Sequence, residues 1–167
     1  KDDPLKPGKH DEYAKQKLKA ETLIKKSDLP WTILRLTYIT SMDKLKLDPL
    51  MYEMPLETCI EICDTKDVGL AIANAIKNPD VYQEIFHIAG GEKCQTTFGE
   101  YLINMFEIFG LGSESIPAKA FSHDDFHCGW MDTSKSQEIL QYQRTTLDSY
   151  YEQVSKKVKK LKFWIKL

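Results

Sequence analysis

The chain has 167 residues, 42% of them hydrophobic and 29% charged, with 23 basic and 25 acidic groups. These are the proportions of a soluble globular protein large enough for one domain with a real core. No apolar run approaches the roughly 18 to 20 residues that span a bilayer, and the N-terminus carries no secretory pattern, which excludes a membrane-spanning or signal-bearing reading of this stretch.

Residues 1–9 hold Pro4, Pro7 and Gly8 and read as an irregular approach. From His10 the spacing predicts a helix that opens with Asp11 and Glu12 and closes with Lys25 and Lys26, complementing its dipole, before a turn that ends at Pro30. Tyr13 and Lys17 stand four residues apart, so they share a face, and Ala20 and Ile24 continue the stripe. A phenol beside an ammonium is a device for moving a proton at a hydroxyl or carbonyl carbon. Free tyrosine titrates near ~10, so a base at neutral pH needs a shift of roughly three units, about 4 kcal/mol, and an adjacent cation acts in that direction. Taken alone, a YxxxK spacing also arises by chance in a half-buried helix.

Residues 31–39 are β-branched and aromatic with few polar positions, which predicts an interior strand of a sheet covered on both faces. Residues 41–55 mix Pro49 and Pro55 with Leu50, Met51 and Met54 and read as an excursion from the sheet. A strand over 57–63 follows, then a helix capped by Asp64 or Thr65 with the apolar stripe Val68, Ala71, Ile72, Ala75 and Ile76, stopped at Asn78-Pro79-Asp80. Asp67 in its first turn reads as structural. Residues 84–89 form another strand ending at Gly90-Gly91; Thr97 and Glu100 have capping-box spacing for a helix that Gly110 stops. Residues 111–131 contain His123, His127 and Cys128, whose spacing permits a metal, but Gly129 and the lack of periodicity favour a polar, substrate-facing loop, and we assign no metal. Asp132 caps a helix to about Leu140, and Thr145 or Thr146 begins the last one.

That last helix has a separate character. Residues 153–167 carry six lysines (156, 157, 159, 160, 162 and 166) and no acid, leaving 17 basic against 25 acidic groups, a net of −8, on the rest of the chain. Val154, Val158, Leu161 and Ile165 recur at helical spacing. The pattern suits either an anionic surface or a terminal helix docking its apolar stripe on the body, and the second is the expectation taken here. The four cysteines, Cys59, Cys63, Cys94 and Cys128, follow no disulfide framework and are expected to be free thiols in a reducing cytoplasm.

The chain resembles the extended short-chain dehydrogenase/reductases, the NAD(P)-dependent epimerase/dehydratase family. The residues that carry the resemblance are Tyr13-Ala14-Lys15-Gln16-Lys17, then Trp31-Thr32-Ile33-Leu34-Arg35, Asp67-Val68, Phe86-His87-Ile88-Ala89-Gly90-Gly91 and Asp132-Thr133-Ser134-Lys135, in the family's order. It departs where His87 replaces the usual asparagine, where Leu36-Thr37-Tyr38 follows the arginine, and where Gln141 replaces a glycine. No subset of its eight glycines has the spacing of the family's pyrophosphate turn.

The resemblance implies an α/β fold, a partial Rossmann-like, doubly wound sheet with a small C-terminal α/β substrate-binding part, lacking the N-terminal dinucleotide-binding half. Residues 1–40 would be the tail end of the Rossmann-like domain, 41–152 the remaining core and substrate-binding part, and 153–167 a basic helix. It further implies NAD or NADP for the full-length protein, Tyr13 as general acid/base, Lys17 lowering the tyrosine pKa and binding the nicotinamide ribose, and Thr37 and Tyr38 lining the cofactor. The expected partners are a sugar or nucleotide-sugar substrate and a second copy of the chain, with neither nucleic acid nor membrane. The alternative is a non-catalytic binding or regulatory module of the same fold.

Overall fold

Residues 59–64, Cys-Ile-Glu-Ile-Cys-Asp, put apolar side chains on both faces of an extended strand, and in the computed structural model of the protein this strand is the centre of the molecule. The structure describes residues 12–42, 49–76, 78–112, 117–124, 126 and 128–165, with Leu50 and residues 161–165 described by backbone only. The expected irregular approach, the helix opening at His10 and Asp11, residues 43–48 of the excursion and His127 lie outside the described residues. In chain order the elements are α1 (Glu12–Lys25), β1 (Thr32–Leu36), β2 (Tyr38–Thr40), β3 (Cys59–Asp64), α2 (Thr65–Ala75), β4 (Glu84–Ile88), β5 (Gln95–Thr97), α3 (Phe98–Phe109), α4 (Ser134–Leu140) and α5 (Leu147–Ile165), joined by loops and short 3-10 turns.

The helix ends follow their local chemistry. Asp64 closes β3 and caps α2, its side chain accepting from the Lys66 N–H at 2.8 Å. Thr97 and Glu100 form the expected capping box of α3, and Gly110 ends that helix in the left-handed region at φ 75°. Asp132 lies one residue outside the expected cap: Thr133 is the N-cap of α4, and the Asp132 side chain accepts from the Ser134 N–H at 3.0 Å.

Strand β1 runs parallel to β4, with Leu34 opposite Phe86 and Arg35 opposite His87. Strand β2 runs parallel to β3, and β3 is antiparallel to β5. The expected single strand over 31–39 is therefore two strands in two sheets. Thr37 is the point of exchange: its N–H donates to the Ile88 carbonyl at 3.2 Å and its hydroxyl to the Glu61 carbonyl at 2.6 Å. Nor is this segment the doubly covered strand that its composition predicts. Among the described residues β1 pairs with β4 alone, and Leu36 is exposed. The innermost position belongs to β3, buried from Ile60 through Asp64.

Alternation along β3 divides the core. Ile60 and Ile62 pack with Phe98, Tyr101, Tyr150 and Val154 of α3 and α5, while Cys63 packs with Val68, Phe86, Leu140 and Tyr142 on the other side. Gly90 lies so close to β3 that a Cβ there would stand 2.4 Å from the Ile62 carbonyl oxygen, which only glycine avoids. The four cysteines are free; Cys59 is exposed, whereas burial raises the thiol pKa of Cys63 and of Cys94 to about 12, which keeps both protonated.

Two buried carboxylates connect this core to distant loops. Glu61, fully buried on β3, accepts from the Gly91 N–H at 2.7 Å, the Met131 N–H at 3.0 Å and the Gln95 side-chain amide at 3.3 Å. Asp67 accepts from the N–H groups of Arg144 at 3.1 Å and Thr145 at 2.9 Å, which bears out its structural reading. Glu61→Ala leaves two backbone donors and an amide without their acceptor, and we expect a loss of about 2–4 kcal/mol in denaturant unfolding, with Glu61→Gln closer to the parent.

Candidate functional site

The polar residues of α1 follow a nearly continuous surface pattern, and the helix has no buried residue. Tyr13 is 67% exposed, and the Lys17 ammonium lies 5.1 Å from the centre of its ring. The side-by-side arrangement expected from the spacing is present, as a cation over an aromatic face. Both groups are open to a ligand.

What fixes α1 to the sheet is an ion pair. Arg35, in the middle of β1, presents its guanidinium fork to Glu21 on α1, with Nε donating to Oε1 at 2.9 Å and Nη2 to Oε2 at 2.8 Å, and both side chains are only 15% exposed. Such a two-pronged contact fixes orientation as well as distance. Lys25 adds a weaker approach to Glu21 at 3.6 Å. The hydrogen bond from Arg35 is the chief reason that the Glu21 carboxyl is held below its ordinary value of 4.5, and the same bond raises the Arg35 pKa.

The other two expected site residues face the interior of the fold. The Thr37 hydroxyl is engaged by the Glu61 carbonyl at 2.6 Å, and the Tyr38 ring meets Tyr101 edge-on with centroids 5.8 Å apart. Tyr101 in turn stacks on Tyr150 at 6.5 Å and lies against Tyr151 at 6.2 Å. Burial raises the phenol pKa values of Tyr101, Tyr150 and Tyr151, so this cluster is neutral packing.

At the end of β4, burial holds the His87 imidazole below its usual range, with the Arg35 charge acting the same way and Asp132 opposing. The Tyr142 hydroxyl accepts from the Ala89 N–H at 3.0 Å and donates to the Ala89 carbonyl at 2.8 Å, and the Ser136 hydroxyl donates to the His87 carbonyl at 2.6 Å. Sequence reasoning passed over Glu61 and the Glu21–Arg35 pair. An arginine in the middle of an otherwise apolar strand was the available signal, because a buried guanidinium requires an acid within reach.

Comparison with solved structures bears on the fold. The chain superimposes on a dTDP-glucose 4,6-dehydratase from Bacillus anthracis solved with NAD, with a TM-score of 0.74 at 16% identity, covering 98% of this chain and 56% of that one. The fold is that of the C-terminal portion of an extended short-chain dehydrogenase/reductase. A UDP-glucose 4-epimerase from Thermotoga maritima, solved with UDP-glucose, matches at a TM-score of 0.64 and 20% identity over 90% of this chain and 53% of that one. A short-chain dehydrogenase/reductase superfamily protein from Agrobacterium tumefaciens with bound NAD matches at 0.69 and 15% identity, over 98% and 61%. The chain thus spans somewhat more than half the length of these reductase-fold enzymes. No protein-family model and no curated protein matches the sequence.

The ion pair makes the seating of α1 dependent on acid. Because the folded Glu21 pKa lies below its unfolded value, its contribution is complete above about pH 5 and is lost as pH falls through the folded value. We expect the protection of α1 amides, with exchange rates corrected for their intrinsic pH dependence, to fall in acid below the ordinary carboxyl value of 4.5, and Glu21→Gln to show that reduced protection already at pH 7.

Proposed function

We propose that this chain is the C-terminal part of an NAD(P)-dependent epimerase, dehydratase or reductase acting on a sugar or nucleotide sugar. The observation that carries the reading is the accessible Tyr13–Lys17 pair on a helix held to β1 by Glu21 and Arg35, in a fold whose solved neighbours hold NAD and UDP-sugars. The residues fit the cofactor's needs: a cation and a phenol, both solvent-facing, side by side. When bound, the nicotinamide supplies the hydride acceptor and donor.

The chain's own part is proton transfer and positioning. The Tyr13 phenolic oxygen accepts the proton of a sugar hydroxyl as its carbon becomes a ketone, and returns it in the reverse direction. Lys17, beside the Tyr13 ring, holds the ribose. Thr37 and Tyr38, at the exchange between the two sheets, complete the wall on the cofactor side through their backbone and exposed edges. No subset of the glycines forms a pyrophosphate turn, so on this reading the chain alone is inactive. The exposed Leu23 and Ile24 on α1 and Leu36 on β1 support self-association as part of the same proposal.

One observation favours the rival, a non-catalytic module: the Thr37 hydroxyl and the Tyr38 ring are already engaged by Glu61 and Tyr101. Calorimetric titration of NAD and NADP against this chain and against a chain extended upstream separates the two. We expect binding to the longer chain only, weakened about tenfold by Lys17→Ala, and a fall in kcat of about 10²–10⁴ for Tyr13→Phe with cofactor binding retained. Absence of binding to either chain would establish the module.

A further inference from the structure

The oxidoreductase reading leaves the lysines of α5 without a task, and the way that helix is seated gives them one. Tyr150, Val154 and Val158 are buried against the α3 side of the core, and Lys157 Nζ donates to the Met42 carbonyl. The rotation of α5 is thereby fixed over the described part of its length. At about 100° per residue, the positions opposite the Val154–Val158 stripe are 156, 159, 160 and 163. Lys156, Lys159 and Lys160 are exposed accordingly. Lys156 is shared with Glu152 at 2.6 Å, whereas no acid follows Glu152 in the sequence.

We propose that this outward face of α5, formed by Lys156, Lys159, Lys160 and the position of Phe163, docks on an anionic lipid bilayer. Charge is the first argument. The segment from residue 153 onward carries six lysines and no acid, beside a remainder of net −8, so it is the densest run of positive charge in the chain. The second is the pattern: Phe163 falls nine residues, or two and a half turns, past Val154, among the lysines, and Trp164 adjoins it. An aromatic residue at that register of a basic helix suits the headgroup–acyl boundary, which accepts apolar and cationic groups together. Among the described residues no helix is long and apolar enough to cross a membrane, so the helix would lie in the plane of the surface. Docking of the inner stripe on the body and binding by the opposite face are compatible, since they use different sides of the same helix.

The test is co-sedimentation of the chain with phosphatidylcholine vesicles, with and without phosphatidylserine, at low salt. We expect binding only to the phosphatidylserine vesicles, weakened at least ~10-fold by Lys159→Glu with Lys160→Glu, and by physiological salt. Phe163→Ala should reduce it a few-fold with an unchanged melting temperature. Should the charge reversal disturb folding, Lys159→Gln with Lys160→Gln replaces it and should still weaken binding. No binding to phosphatidylserine vesicles, or equal binding to both, overturns the proposal. So does tighter binding to an oligonucleotide than to vesicles, lost with the lysines.

Discussion

The buried carboxylate of Glu61 is the constraint on which the arrangement depends. It sits on the innermost strand, with Oε1 claimed by Gly91 after β4 and Oε2 shared by Gln95 opening β5 and Met131 before α4. A charge placed there without those donors would cost more than the fold gains from burying the strand around it. The loops therefore go where the carboxylate requires. Asp67 repeats the device one helix turn later, collecting the chain between α4 and α5.

The catalytic candidates sit on a different kind of support. Helix α1 buries nothing of its own, and its bond to the body is the fork between Arg35 and Glu21. Tyr13 and Lys17 are presented on the outside of that helix, while Thr37 and Tyr38 are partly buried and held by contacts to Glu61 and Tyr101. Rotating or releasing α1 would leave the tyrosine cluster beneath Tyr38 unaltered.

Much of this was legible in the residues. Helix boundaries were readable because capping is local: Thr97 with Glu100, Asp64 and Gly110 act within a turn of where they stand. The pairing of Tyr13 with Lys17 followed from helical spacing alone. The assignment of strand burial did not follow, because composition reports how apolar a strand is and not how many neighbours it has. Residues 31–39 are as apolar as an interior strand, yet among the described residues β1 pairs with β4 only, while β3 carries an acid and is the most deeply placed. Glu61 was overlooked for that reason: its partners come from segments far along the chain, and no local pattern announces them.

That distance has a consequence for the order in which the protein is made. Glu61 and its Met131 donor are 70 residues apart, and Asp67 and Thr145 are 78 apart. A nascent chain emerging from the ribosome exposes β3 long before the segments that satisfy its acids exist. Until residues near 145 have emerged, only water can satisfy those carboxyl groups, so the central strand closes late in synthesis, and an apolar stretch is guarded meanwhile by the groups that later hold it in place.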